Sequence, residues 1–271
     1  MDRIGVCVST MNQSDHLIIR KMNISTDAII VNQTDVEKTE LILDNNRIIK
    51  IIHTKERGLS RSRNRALNEA DFDICLIADD DMIFRRDYPL IVRNAFEKYK
   101  KASIIGFYVH SLNKNRCTSK PLWQGYISYI NSMRLSSFQL AIRKNELSER
   151  GLSFNEEFGS GSGKYGFGEE NIFLYDAIRK GLKIAYVDQT IAFVKHITSN
   201  WFKGFNDYKY FIDRGAIFRQ MSGVFSYPLI WQFALRKYPI YRKHINFLDC
   251  IKLMDLGRKI RNEELKDNAR S

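Results

Sequence analysis

The chain lacks most of what marks the specialised protein classes. Its 271 residues hold only four cysteines, Cys7, Cys75, Cys117 and Cys250, widely separated and two of them inside apolar runs. That usage excludes a disulfide framework and points to reduced core thiols. The longest apolar stretch, Gly223 to Leu235, is interrupted by Ser226, Pro228 and Gln232 and falls short of the roughly 18 residues that span a bilayer. No apolar leader follows Met1, whose neighbours run straight into a strand pattern, so a cytoplasmic location is expected. Low complexity, collagen-like periodicity and long internal repeats are missing too. Without a helix-turn-helix, zinc or RNA-recognition signature, nucleic acid is not the expected partner.

What is present is an ordinary globular composition, 44% hydrophobic and 27% charged, with a formal charge of +12. Such a length accommodates one α/β domain with an appended element. The excess charge suggests an anionic partner: nucleic acid, an acidic membrane surface or a phosphorylated substrate. Residues 201–271 carry 14 Lys/Arg against 7 Asp/Glu, which is +7 of the total.

Short runs rich in Ile and Val recur at Ile4 to Val8, Ala28 to Val31, Ile48 to Ile52, Ile74 to Ile77 and Ser103 to Val109. Their length and β-branching predict buried parallel strands. Between them, Ser14 to Met22, Asp35 to Leu43, Ser60 to Ala70 and Tyr88 to Lys100 have helical character, and the alternation predicts a doubly wound sheet. From Gly125 to Val194 the rhythm breaks, with a Gly-rich stretch from Phe158 to Gly168 leading into a predicted helix, Glu169 to Lys180, stopped by Gly181. Beyond His196 the chain turns aromatic and basic, as a helical extension. A boundary near residue 200 is expected, dividing a catalytic domain, 1–200, from the extension, 201–271.

Asp79-Asp80-Asp81 follows directly on the Ile74 to Ala78 strand. Ligands of open parallel sheets bind outside the carboxyl ends of the strands, so these carboxylates face the expected crevice. Asp71 and Asp73 share the D-x-D spacing but precede the strand and face the opposite edge. Three adjacent carboxylates repel one another unless a cation neutralises them, and Mg or Mn held by one or two of them plus substrate phosphates suits that need. A diphosphate leaving group gains negative charge that such a metal stabilises, while an attacking hydroxyl needs a base within hydrogen-bond reach.

Several segments together resemble the family 2 glycosyltransferases. Val6 to Asn12 looks like the family's first strand and Thr-containing turn. Arg57-Gly58-Leu59-Ser60-Arg61-Ser62-Arg63-Asn64 is similar to its G-x-x-x-A-R-N helix, with Ser62 for Ala, at the usual distance before the D-x-D. Phe154 to Gly159 resembles F-D-E-x-F, and Gly168-Glu169-Glu170-Asn171 resembles the G-G-E-D box, with Glu170 in place of its last Asp. The resemblance spans about the first 200 residues. It implies a GT-A, Rossmann-like α/β fold with a mixed sheet, and an inverting transfer of sugar from a nucleotide diphosphate, UDP by preference, to a saccharide hydroxyl in bacterial cell-surface polysaccharide synthesis.

By the same resemblance Glu170 is the general base and Glu169 orients it or the acceptor. Thr10, Asn32, Gln33, Arg57, Arg63, Asp79 and Asp80 would surround the nucleotide, and Asp81, Asp79 and His196 the metal, with His196 equally readable as a core or surface residue. Lys55, Arg57, Arg61, Arg63 and Arg65 also fit one solvated cationic helix face.

The aromatic and basic stretch Lys203 to Lys243 fits either an anionic membrane surface, which would bring a lipid-linked acceptor, or a helical buttress. Competing readings are a sugar-phosphate nucleotidyltransferase, for which the Gly-rich loop after the first strand is missing, and a nucleic-acid-binding protein using the basic tail.

Overall fold

The computed structural model describes residues 2–44, 46–114, 117–195 and 205–268. Its first half keeps the expected alternation in part: β1 (Ile4–Met11), α1 (Leu17–Lys21), β2 (Asp27–Gln33), β3 (Lys38–Asp44), β4 (Arg47–Thr54), α2 (Leu59–Glu69), β5 (Ile74–Asp79), β6 (Met82–Phe84), α3 (Tyr88–Lys98) and β7 (Ile104–Ser111). After it come β8 (Gly125–Ile127), α4 (Tyr129–Ser132), β9 (Leu140–Arg143), α5 (Lys144–Glu149), α6 (Glu169–Arg179) and β10 (Ile184–Val194). Three helices follow, α7 (Tyr208–Ser222), α8 (Ser226–Tyr241) and α9 (Phe247–Asn268).

One sheet runs β3-β4-β2-β1-β5-β9-β7-β10-β6, with β8 also paired to β10. Strands β4, β2, β1 and β5 are parallel, whereas β9 lies antiparallel between β5 and β7, which makes the sheet mixed. Alternate residues of the inner strands enter different cores: Val6, Val8, Leu76 and Ala78 go to one face, and Cys7, Cys75 and Ile77 to the other. Burial on both faces is why these strands read as continuous apolar runs.

The segment Asp35 to Leu43, expected to be helical, instead supplies β3, which pairs antiparallel with β4. Asn46 takes a positive φ of 64°, a conformation Asn tolerates in tight turns. Leu41 and Leu43 stand exposed on this edge strand, so their apolar character had suggested a helical face that the chain does not bury.

The chain winds outward from β1 through β2 to β4 and then returns to β5 on the other side of β1. This places a topological switch point beyond the carboxyl ends of β1 and β5, where α/β sheets bind ligands.

The C-terminal helices share a core with residues from before position 200. Phe158, Tyr165, Phe167, Ile172 and Tyr175 pack with Phe211, Ile217, Phe233 and Met254. Helices α7 and α9 touch backbone to backbone: a Cβ on Gly215 would stand 1.8 Å from the Met254 carbonyl oxygen, and one on Gly257 1.8 Å from that of Ile212. No rotamer relieves a clash with backbone, so the helices would have to separate. Gly215→Ala is expected to cost about 3 kcal/mol, the upper end for overpacking, in urea unfolding. A loss below about 1 kcal/mol would show that the crossing yields freely.

Candidate active site

The switch point is bridged by side chains. Thr10 leaves the end of β1 and donates its Oγ1 hydrogen to Asp80 Oδ2 at 2.6 Å, across the junction where Ser9 stands opposite Asp79 in the β1–β5 register. Asp80 and Asp81 form the turn from β5 into β6, and the Asp81 carbonyl accepts from the Lys195 backbone N–H at 3.2 Å, which ties the turn to the end of β10. Asp73 and Asp71 lie at the opposite end, where both meet Arg3. The preference for the later acidic cluster rests on this separation.

Arg63 is the central connection. It projects from the buried face of α2, 2% exposed, and donates from Nη2 to Asp79 Oδ1 at 3.0 Å and from Nη1 to Glu169 Oε1 at 2.9 Å. Burial alone would lower the guanidinium pKa, but Asp79 first and then Glu169 overcome it, and the net shift is upward. The ring of Phe154 lies 5.6 Å from the guanidinium carbon. Arg63, expected among the nucleotide-binding groups, holds two carboxylates from different elements in one place. The sequence contains a signal for this: Arg63 sits three and four residues before the buried Ala66 and Leu67, on the apolar side of its helix.

The next residue, Asn64, accepts from the Phe154 N–H at 2.8 Å and donates to the Phe154 carbonyl at 2.9 Å. Ser60 Oγ donates to the Phe158 carbonyl at 2.6 Å, and the Leu59 N–H reaches the Ser160 carbonyl at 2.9 Å. The start of α2 therefore seats the Gly-rich loop. That loop ends at Gly168, whose φ of 90° suits glycine; a Cβ there would also meet the Ile217 side chain at 2.5 Å.

From the far side the loop is held by α9. Arg261, also 2% exposed, pairs with Glu157 at 2.6 Å and Glu264 at 2.8 Å. Lys164 joins the same two carboxylates, and Tyr165 donates to Glu264 at 2.9 Å. Sequence reasoning attached no function to these residues, since the pairs that join α9 to the loop, Arg261–Glu157, Lys164–Glu264 and Tyr165–Glu264, link distant parts of the chain and no local pattern announces them.

The other expected site residues occupy the carboxyl ends of β2 and β4. Asn32 is fully buried, with its amide engaged by both backbone groups of Gln13 and by His53. Gln33 accepts from the Gly58 N–H at 2.8 Å. Arg57 donates to the Thr34 and Lys55 carbonyls and pairs with Asp35 at 2.6 Å, while its side chain remains 40% exposed. Asn32 and Gln33 thus shape the loops around the crevice from inside. Thr10 and the acidic turn meet each other at the switch point, through the Thr10 hydroxyl and Asp80. His196 lies outside the described residues.

Glu169 is buried and Glu170 half-buried at the first turn of α6. Burial, followed by the charge of Glu169, pushes the Glu170 carboxyl up to about 8. The ordinary value is 4.5, so between the two pH values the folded state keeps a proton that the unfolded chain has released. The stabilisation from this group is therefore complete below about 4.5, declines as pH rises, and is lost above about 8. Glu170→Gln removes the ionisation, and its stability relative to the parent should rise between about pH 5 and pH 8 in denaturant titrations. Parallel pH profiles for the two proteins would contradict this.

Asp79 and Asp80 each commit one oxygen to an internal partner, Arg63 and Thr10, and retain a second. Hard carboxylate oxygens at a switch point suit Mg or Mn, which needs few protein ligands when a substrate's phosphates supply the rest. Among the described residues no three His, Cys, Asp or Glu side chains gather as a complete metal site.

The description "Glycosyl transferase family 2" belongs to a family model that matches residues 18–153, half of the chain, and includes the Arg57 to Asn64 segment and the Asp79 to Asp81 turn. The match ends before Glu169. No curated protein matches the sequence. Among solved structures the fold is similar to residues 1–349 of S. aureus TarS, with TM-score 0.60 and 15% identity over 89% of this chain and 73% of that one. The same fragment in complex with UDP-GlcNAc gives 0.60 and 15% over 89% and 74%. Its complex with UDP gives 0.59 and 15% over 89% and 73%. At that identity the likeness concerns the fold. Together with the sequence-family match, the mixed sheet and the acidic turn at its switch point establish that this chain is a glycosyltransferase belonging to family 2.

Proposed function

We propose that the protein transfers a sugar, with inversion, from a UDP-sugar to a hydroxyl of a saccharide acceptor. The observation that carries this reading is the Arg63 bridge, because it sets a phosphate-side carboxylate, Asp79, beside the pair Glu169 and Glu170. Support for uridine as the base comes from the UDP and UDP-GlcNAc complexes of the similar TarS fold.

Thr10, Arg57 and Asp80 would contact the nucleotide, on loops that Asn32 and Gln33 hold in shape. Asp81 and Asp79 would hold a divalent cation, Mn or Mg, with His196 as a further ligand and diphosphate oxygens completing the set. When bound, that ion supplies Lewis-acid stabilisation of the departing diphosphate. Glu170 takes the proton of the acceptor hydroxyl as its oxygen forms the new bond to the sugar carbon and the bond to the diphosphate oxygen breaks. A carboxyl poised near 8 is a stronger base once ionised than one of ordinary pKa. Glu169, fixed by Arg63, keeps Glu170 in position.

The acceptor is proposed to be a lipid-linked bacterial saccharide of a capsule, exopolysaccharide or O-antigen, met at the inner face of the plasma membrane. Among the described residues no helix is long and apolar enough to cross a membrane.

The test is a screen of nucleotide sugars with Mn or Mg, run with the parent and two variants. Asp81→Ala should lose metal-dependent donor binding. Glu170→Gln should retain UDP binding and lose at least a hundredfold in transfer, the lower end of a general base's contribution. Release of pyrophosphate instead of UDP would mark a nucleotidyltransferase, and full transfer by Glu170→Gln would remove that residue as the base.

A further inference from the structure

Helix α8 is apolar nearly all the way round. Its inner side, with Ile230, Phe233, Ala234 and Tyr241, is buried in the core beneath the C-terminal helices. A helix of such composition is ordinarily enclosed on every side, yet the outer half of α8 stands in solvent. Tyr227, Trp231, Leu235 and Tyr238 succeed one another at spacings of 4, 4 and 3 residues, which places them in one stripe along the axis. Trp231 is 49% and Leu235 63% exposed. Val224 and Phe225 prolong the patch ahead of the helix, and Leu248 adds to it from the start of α9. Of the exposed positions on α8, only Gln232 and Arg236 are polar.

The charge carried by α8 and its flanks has one sign, and the carboxylates that α9 brings beside it, Asp249 and Asp255, are paired with Lys252, Arg258 and Lys259. From Arg214 through Leu248 the sequence contains no Asp or Glu. Arg236, Arg242 and Lys243 stand exposed toward the C-terminal end of the helix, and none of the three has a carboxylate partner among the described residues. Lys237, by contrast, is half-buried on the inner side of the helix, and burial, then the charges of Arg236 and Arg214, lowers its pKa.

A second copy of the chain is a poor occupant, since an isologous contact would press these cations against their own kind. An anionic bilayer satisfies both features. Trp and Tyr rings sit at headgroup level, Leu and Phe reach the acyl boundary, and Arg and Lys stay near the phosphates.

We infer that α8 docks the protein on an anionic membrane surface, with Trp231 and Leu235 inserted at the interface and Arg236, Arg242 and Lys243 against lipid phosphates. This gives the proposed membrane-face setting a defined surface, and vesicle binding is read without turnover, so failure of either reading leaves the other standing.

The full chain would be sedimented with phosphatidylcholine vesicles, with and without phosphatidylglycerol, at low and high salt. Retention is expected on the phosphatidylglycerol vesicles alone, weakening as salt screens the contact. It should be accompanied by a blue shift in tryptophan fluorescence that Trp231→Phe abolishes. Arg236→Gln combined with Lys243→Gln should weaken partition about thirtyfold, two cations' worth, and Leu235→Ser should weaken it without changing the urea midpoint. No retention, equal retention on pure phosphatidylcholine, or a self-associated species that Leu235→Ser dissociates in the absence of vesicle binding would overturn the inference.

Discussion

One buried guanidinium ties this molecule's chemistry together. Arg63 carries its charge into a site from which water is almost wholly excluded, and both of its amino groups end on carboxylates. A cation in that position is tolerable only with such partners, and the carboxylates in turn are tolerable only with it. The exit of β5 and the first turn of α6 are thereby made mutually dependent, although 90 residues separate Asp79 from Glu169 in the chain. For a transfer reaction this dependence is useful. In the proposed reaction the end that would grip the leaving group and the end that would take the acceptor's proton must stay in register, and misplacement by about an ångström costs rate.

The remainder of the architecture can be understood as support for that register. Helix α2 carries Arg63 toward the site and, through Ser60 and Asn64, holds the loop that delivers α6. Helix α9 grips the same loop from outside through Arg261, Lys164 and two glutamates. The extension is thus part of the apparatus that positions Glu169 and Glu170, and its helices complete a core to which the Gly-rich loop and α6 contribute aromatic side chains. Interdigitation of this kind explains why the composition changes near residue 200 while the packing does not.

Much of the fold was legible because the inner strands are buried on both faces and so retain runs of Ile and Val. The edge was less legible. In β3 the apolar residues Leu41 and Leu43 remain in solvent, and Asn46, a residue type that tolerates the positive φ of a tight turn, was the better indicator of a hairpin. Strands β6, β8 and β9 are three or four residues long and owe their pairing to neighbours far away in sequence, which no short window reveals. In the site, the strand-end position of Asp79 could be read directly. The inward aim of Arg63 could not be taken from its charge, which suggested a solvated face, and required attention to Ala66 and Leu67 beside it.

The interdependence of Asp79, Arg63 and Glu169 is open to direct measurement by a double-mutant cycle in folding stability, with Asp79→Asn, Glu169→Gln and the combination. Either single change leaves Arg63 one charged partner, whereas the double change strands a buried cation. The combined loss should therefore exceed the sum of the single losses by about 1 kcal/mol or more. Losses that add to within about 0.5 kcal/mol would mean that the two carboxylates do not share this guanidinium in solution.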